Sequence, residues 1–296
     1  MAFSMTTGMG VRSGPGHAVC APRSRSAGRC KEEAVVKIAS FNINGIRARL
    51  PRLLDWLDRT APDIVCLQEL KAADDKVPRL ELESAGYHVA THGQKGFNGV
   101  AILARAPITD VRRGLPGMDD DPQARYIEAT ISDLRVASIY APNGNPPDSE
   151  KFPYKLRWLD ALLAHAADLL TREEAILLAG DYNVIPEEED CHDPKAWEGD
   201  ALFAPEARAR FRALKWQGWL DALRHCHPGG DQFTFWDYKG GAWAKDHGIR
   251  IDHLLLSPLA ADRLETAEVD RMERGREKAS DHAPVWVRLT DAARFV

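Results

Sequence analysis

Cysteine is sparse in this sequence, and its 39 lysines and arginines are outnumbered by 44 acids. Its five cysteines, Cys20, Cys30, Cys66, Cys191 and Cys226, are odd in number, irregularly spaced and never arranged as Cys-x-x-Cys. That excludes a disulfide scaffold and points to a reducing, cytoplasmic setting. Cys191-His192 and Cys226-His227 lack a second correctly spaced pair, so neither is read as a zinc site. No apolar run approaches the roughly 20 residues that span a bilayer, so the chain is expected to be soluble, with no membrane partner. No Pro-, Gly- or Ser-rich linker and no repeat period divides residues 35 to 296, which argues against a solenoid or two domains. A net charge of -5 argues mildly against nucleic-acid binding by bulk charge but does not decide the substrate, since a basic rim around an acidic site would still grip phosphates. Acid is absent from the first 30 residues, which carry Arg12, Arg23, Arg25 and Arg29 among many Gly and Ser. We read residues 1–33 as a disordered extension rather than a targeting signal, and 34–296 as one catalytic domain.

Within that domain, short β-branched runs alternate with amphipathic helical stretches, an α/β or α+β pattern. Strands are predicted at Val35–Ile43, Asp63–Gln68, Gly99–Ala104, Tyr126–Ser132, Arg135–Tyr140, Ala175–Leu178, Gln232–Trp236, Ile249–Leu256 and Val285–Leu289. Pro51 and Pro153 each precede an apolar-periodic run and suit the first turn of a helix. Two packed sheets covered by helices are expected.

The strand-like runs repeatedly end in Asn, Asp, Glu or His, as in Asn42-Ile43-Asn44-Gly45, Gln68-Glu69-Leu70-Lys71, Tyr140-Ala141-Pro142-Asn143-Gly144 and Gly180-Asp181-Tyr182-Asn183, and near the C-terminus come Arg250-Ile251-Asp252-His253 and Ser280-Asp281-His282. A single such residue is most often a turn-former or helix cap. Six clusters of oxygen and imidazole groups point instead to one site at the strand ends. A hard cation such as Mg²⁺ takes one or two carboxylates and leaves room for water and phosphate. Glu69 is the principal ligand by this reading, with Asn44 and Asp281 as further contributors. Asp181 and Asn183, two apart and so on one face if extended, would activate and aim a water. Asp252 would orient the imidazole of His282 toward phosphate.

These motifs, with Gly93-Gln94-Lys95-Gly96 and Gly99-Val100-Ala101, resemble in order those of the exonuclease III family of abasic-site endonucleases, within the endonuclease/exonuclease/phosphatase superfamily. The resemblance spans about residues 35 to 290. It implies a four-layer, DNase I-like α/β sandwich of two mixed sheets flanked by helices, and a monomer acting in base excision repair. The implied chemistry is Mg²⁺-dependent (Mn²⁺ as substitute) cleavage of double-stranded DNA 5′ to abasic sites, with 3′-to-5′ exonuclease and 3′-phosphatase activities. It assigns metal binding to Glu69, with Asn44 standing where some members carry Asp, and a further metal or network carboxylate to Asp281. Asp181, Asn183 and Asn42 handle water, with Asp181 and Asn183 also lying against the metal, Tyr140 contacts phosphate, and Asp252 serves His282. Phe235, Ile249 and Ile251 fall at positions resembling the wall of an abasic pocket, and Trp243 either inserts at the DNA or caps its loop. Lys71, Arg125, Lys245 and Arg250 are the candidate phosphate contacts. An inositol-phosphate or sphingomyelin phosphodiesterase shares the Glu, Asp-x-Asn and Asp-His groups but not the Gly93–Gly96 context. A catalytically dead scaffold would lack one of Glu69, Asp181 or His282, and all three are present.

Overall fold

A computed structural model describes Met1 and residues 35–290. The expected extension over residues 1–33 lies, Met1 apart, outside the described residues. Twelve strands among the described residues form two six-stranded sheets. The first contains β1 (Val35–Asn42), β2 (Ile64–Gln68), β3 (His88–His92) and β4 (Val100–Ala104). The second holds β5 (Ile108–Arg113), β6 (Tyr126–Ile131), β7 (Leu134–Tyr140), β8 (Ala175–Asp181), β9 (Leu220–Asp221) and β10 (Asp252–Leu256). The chain then returns to the first sheet with β11 (Leu264–Val269) and β12 (Val285–Thr290). Strand orders are β11-β12-β1-β2-β4-β3 and β5-β6-β7-β8-β10-β9. Each sheet has one parallel pair at its centre, β1 with β2 and β7 with β8, and is otherwise antiparallel.

The layers follow from period-two alternation along strands buried on both faces. Ile38 of β1, Ile64 and Cys66 of β2 and Ile102 of β4 meet Ile127, Leu177 and Leu254 of the other sheet in a core between the sheets. Their neighbours Ala39, Phe41, Val65 and Leu67 face outward onto Leu53, Trp56 and Leu57 of helix α1 (Ile46–Thr60) and Leu82 of α2 (Arg79–Ser84). On the far side, Ala137, Ile139, Ile176 and Leu178 pack on α3 (Lys151–Leu170) and α4 (Pro205–Gln217) through Trp158, Leu162, Phe211 and Leu214. The result is the expected four-layer α/β sandwich.

Strand prediction found the eight interior strands and missed β3, β5, β9 and β11, which are the four sheet edges. An edge strand has one neighbour and keeps polar groups facing water, so it lacks the apolar signature. β5, Ile-Thr-Asp-Val-Arg-Arg, has no fully buried residue. Gln232–Trp236 is not a strand: Phe235 makes only isolated bridges, to Ile249 and to His282. Pro153 sits in the first turn of α3, but α1 begins at Ile46, five residues before Pro51. Gly45 (φ 104°) ends the preceding loop and buries Ile46, so the helix starts where the sheet contact demands.

Towards the C-terminal ends of β1, β2, β7 and β8 the inner residues turn polar. Ser40 Oγ donates to Gln68 Oε1 (3.3 Å), Gln68 Nε2 to Ser138 Oγ (3.0 Å) and Ser138 Oγ to the Leu67 carbonyl (2.9 Å), bridging the two sheets below the site.

Candidate active site

The parallel pairs β1–β2 and β7–β8 bring Asn42, Glu69, Tyr140 and Asp181 to one rim. Antiparallel β10 starts at that rim, with Asp252 paired to Asp181, and the loop entering β12 delivers Asp281 and His282. Gly180 allows the close approach: a Cβ there would lie 2.0 Å from the Ile139 carbonyl oxygen.

Asn42 is the bracket of the site. Its Nδ2 donates to Glu69 Oε1 and to Asp181 Oδ2, both at 2.9 Å, and its Oδ1 accepts from the Asn44 amide (3.1 Å). The Asn183 amide donates to the other Asp181 oxygen, Oδ1 (2.9 Å). Asp252 Oδ2 lies 2.8 Å from His282 Nδ1 and also accepts from Thr234 Oγ1 (2.6 Å), while His282 Nε2 turns toward Asp181 Oδ2 at 3.7 Å. Asn44 Nδ2 donates to Asp281 Oδ1 (2.8 Å). Ligand atoms of Glu69, Asp181 and His282 lie within 4.8 Å of one another. Asn44, Glu69, Lys71 and Asn183 all take left-handed backbone (φ 48° to 52°), a cost of about 1–3 kcal/mol each that their surroundings sustain.

The electrostatics divide the carboxylates. Burial would raise Glu69, but hydrogen bonds from Lys71 and Asn42 and the Lys71 charge hold it below the usual range, so it stays ionised. Burial raises Asp181, and Asp252 and Glu69 add to this against the pull of His282 and the Asn183 amide. His282 would be lowered by burial, but the charge and hydrogen bond of Asp252, then Asp181 and Asp281, raise it and favour the imidazolium. Burial, then the Glu69 and Asp181 charges, raise the Tyr140 hydroxyl well above its ordinary value.

The sequence signature of the Endonuclease/Exonuclease/phosphatase family matches residues 39–282, from the middle of β1 to His282. The chain belongs to that family. It is 36% identical over 263 residues to exodeoxyribonuclease III of Haemophilus influenzae, covering 85% of this chain and 98% of that protein. Among solved structures it is similar to the Neisseria 3′ phosphatase NExo bound to a product DNA hairpin (41% identity, TM-score 0.84, 86% of this chain and 99% of that one). It is also similar to an AP endonuclease from Archaeoglobus fulgidus (37% identity, TM-score 0.83, 87% and 100%). Among the described residues, no helix is long and apolar enough to cross a membrane.

Around the core of this family site, the expected DNA-facing residues fare unequally. Arg250 is a correction: it is buried, binds Asp190 through two nitrogens (2.7 and 3.1 Å) and Asp221 through a third (2.8 Å), and has no face for phosphate. Positive charge in the sequence did not reveal that two acids were waiting beneath it. Lys71 is exposed, with its ammonium 2.7 Å from Glu69 Oε2 and 2.5 Å from Asn44 Oδ1. Arg125 stacks on the Tyr140 ring (4.8 Å) at the edge of a cavity of about 500 Å³ lined also by Phe97, Asn143 and Lys151, while Lys245 is exposed. Trp243 caps its loop, edge-on to Trp236 (5.1 Å) and against Gly275. Phe235 is half-buried with its ring 5.0 Å from His282, whereas Ile249 and Ile251 are buried beneath it in one cluster with Ile185 and Leu202. Half-buried Trp197 and Phe203 in that cluster, and Thr234 on Asp252, were not anticipated. Two aromatics in an otherwise polar loop were the available signal for the first pair.

His253 shares the Arg250 network, taking Arg250 Nη1 at Nδ1 (3.1 Å) and meeting the Val184 carbonyl at Nε2 (3.1 Å). Burial and the Arg250 charge lower its pKa to about 4. Below the ordinary histidine pKa of about 6.5 the unfolded chain takes a proton that the folded one refuses, so stability is full above pH 6.5 and lost as pH falls toward 4. The shift sets a ceiling of about 3 kcal/mol. Melting temperatures across that window should fall more steeply in wild type than in His253→Gln; equal slopes would contradict a buried neutral imidazole.

Proposed function

We propose that this protein is a DNA-repair phosphodiesterase that hydrolyses double-stranded DNA 5′ to abasic sites and trims or dephosphorylates 3′ ends, acting as a monomer. The observation that carries the reading is the Asn42 bracket, which holds Glu69 and Asp181 side by side with His282 Nε2 opposite. That arrangement gathers an ionised carboxylate, a carboxylate of raised pKa and a cationic imidazole about one point.

The donor set fits a divalent cation. A cation already rests in the oxygen cradle, since the Lys71 ammonium bridges Glu69 Oε2 and Asn44 Oδ1. Glu69 would hold the metal, with Asp281, Asn44, Asp181 and Asn183 alongside, and Mg²⁺ suits such hard oxygens, with Mn²⁺ as a substitute. When bound, the ion neutralises phosphate charge and stabilises the leaving oxygen.

The chain's own groups supply the rest. Asp181, raised by burial, accepts the proton of an attacking water at Oδ2, while the Asn183 amide fixes Oδ1. His282, oriented and charged by Asp252, offers Nε2–H to a phosphoryl oxygen. The Tyr140 hydroxyl, kept protonated, is a donor on the same rim. Phe235, backed by Trp197 and Phe203, gives the apolar surface against which a base-less sugar rests; extrusion costs least where pairing is already lost.

The test is a side-by-side assay of abasic duplex, recessed-end duplex, 3′-phosphorylated duplex and inositol phosphate with Mg²⁺ and with excess EDTA. Activity on the DNA substrates alone, abolished by EDTA and restored by Mg²⁺ or Mn²⁺, is expected. Full activity in EDTA would remove the metal role, and preference for inositol phosphate would overturn the substrate.

A further inference from the structure

Lys155 is a fully buried lysine on the apolar stripe of α3, in line with Trp158, Leu159, Leu162 and Ala166. Among the described residues, no carboxylate contacts its ammonium. Instead Nζ donates to three carbonyls, of Asn143 (3.0 Å), Asn183 (2.5 Å) and Ala201 (3.0 Å). A lysine has three protons to donate, and all three are used. The acceptors come from three loops: after β7, after β8 and before α4.

We propose that Lys155 is a positioning residue that sets the Asp181–Asn183 pair for catalysis, an inference that rests on the hydrolytic reading of the site. Asn183 has left-handed backbone, and every polar group it owns is tied down. Its amide donates to Asp181 Oδ1 (2.9 Å), its Nδ2 to the Ala141 carbonyl (2.9 Å), its Oδ1 accepts from Asn143 Nδ2 (3.2 Å), and its carbonyl accepts from Lys155. The Lys155 bond is the one that comes from a rigid helix. The same ammonium holds the carbonyl of Asn143, so both ends of the Asn143–Asn183 contact are referred to one atom. The neighbouring loop is shaped around the lysine stem: a Cβ at Gly144 would lie 2.6 Å from Lys155 Cδ. Without the ammonium three carbonyls would face one another in a dry interior, and the loops would separate. Because Asn183 holds Asp181 Oδ1, that displacement reaches the atoms that handle water, where about 1 Å of misplacement can cost about 10²-fold in rate.

The experiment uses the full chain and recessed-end duplex with Mg²⁺, at a temperature well below the melting point of every variant. Lys155→Met should lower kcat by about 10- to 100-fold with KM within about 3-fold. In an Asp181→Asn background the same change should cost less than about 3-fold, because the carboxylate it positions is gone. Leu162→Ala, buried on the same face of α3, controls for loss of stability and should keep kcat. Should Lys155→Met not fold, Lys155→Gln, which offers two donors on a shorter stem, is carried through the same cycle with Asp181→Asn and should show the same coupled loss of kcat. Wild-type kcat in the lysine variant, an equal loss in both backgrounds, or an equal loss in Leu162→Ala would each overturn the positioning role. Absence of wild-type activity on any DNA substrate would instead fail the underlying functional reading.

Discussion

Asp181→Asn lowers turnover on abasic and recessed-end duplex by about 10²-fold or more while leaving the melting temperature unchanged or higher. The two halves of this expected result have one cause. Asp181 is buried against two other acids, so its negative charge is held at a cost to the fold, and a neutral amide relieves that cost. Yet in the proposed mechanism the substitution removes the acceptor for a water proton. It also places an NH2 where the carboxylate accepted from either Asn42 Nδ2 or the Asn183 amide, so one of two donors must face another donor. His282→Asn should share the loss of turnover, because Asp252 and Thr234 would no longer hold a cation toward phosphate. Steady-state kinetics together with thermal melts decide the matter. Normal kcat would reject the assignment, and a large fall in melting temperature would make Asp181 a structural residue.

Arg250→Met should do the reverse, costing stability before chemistry. Two buried carboxylates, Asp190 and Asp221, would lose their common partner, and breaking a buried ion pair in this way costs about 3–5 kcal/mol. For a chain of this size that corresponds to a fall in melting temperature of roughly 6–20 °C. Arg224, which also reaches Asp190, compensates one acid only. Because Arg250 faces inward, the salt dependence of DNA binding should stay as in wild type, whereas loss of a phosphate contact would flatten it. A variant with normal melting temperature and a shallower salt dependence would restore the phosphate role that the structure denies it.

The two substitutions also mark where sequence reasoning runs out. Asn42, Glu69 and Asp181 were legible because each closes a run of apolar residues at a strand end, and Asp252 and His282 because each precedes such a run; those ends converge. Interior strands were legible for the same reason, being apolar on both faces. Arg250 was misread because sequence records charge, not direction: its partners lie 60 and 29 residues away. Lys155 was overlooked although it stands in step with Trp158, Leu159 and Leu162, where a charged residue on an apolar stripe was itself the signal. Trp197 and Phe203 are placed by a loop whose path depends on Asp190 meeting Arg250, and no local pattern encodes that meeting.

The Asn42 bracket has a consequence for how the enzyme comes into being on the ribosome. Asn42 reaches across 139 residues to Asp181, Asn44 across 237 to Asp281, and Ser280 returns 238 to the Asn42 carbonyl. Nothing short of nearly the whole chain, through His282, can assemble the cutting centre. A half-made polypeptide therefore holds no cutting centre, and a prematurely terminated one never gains it.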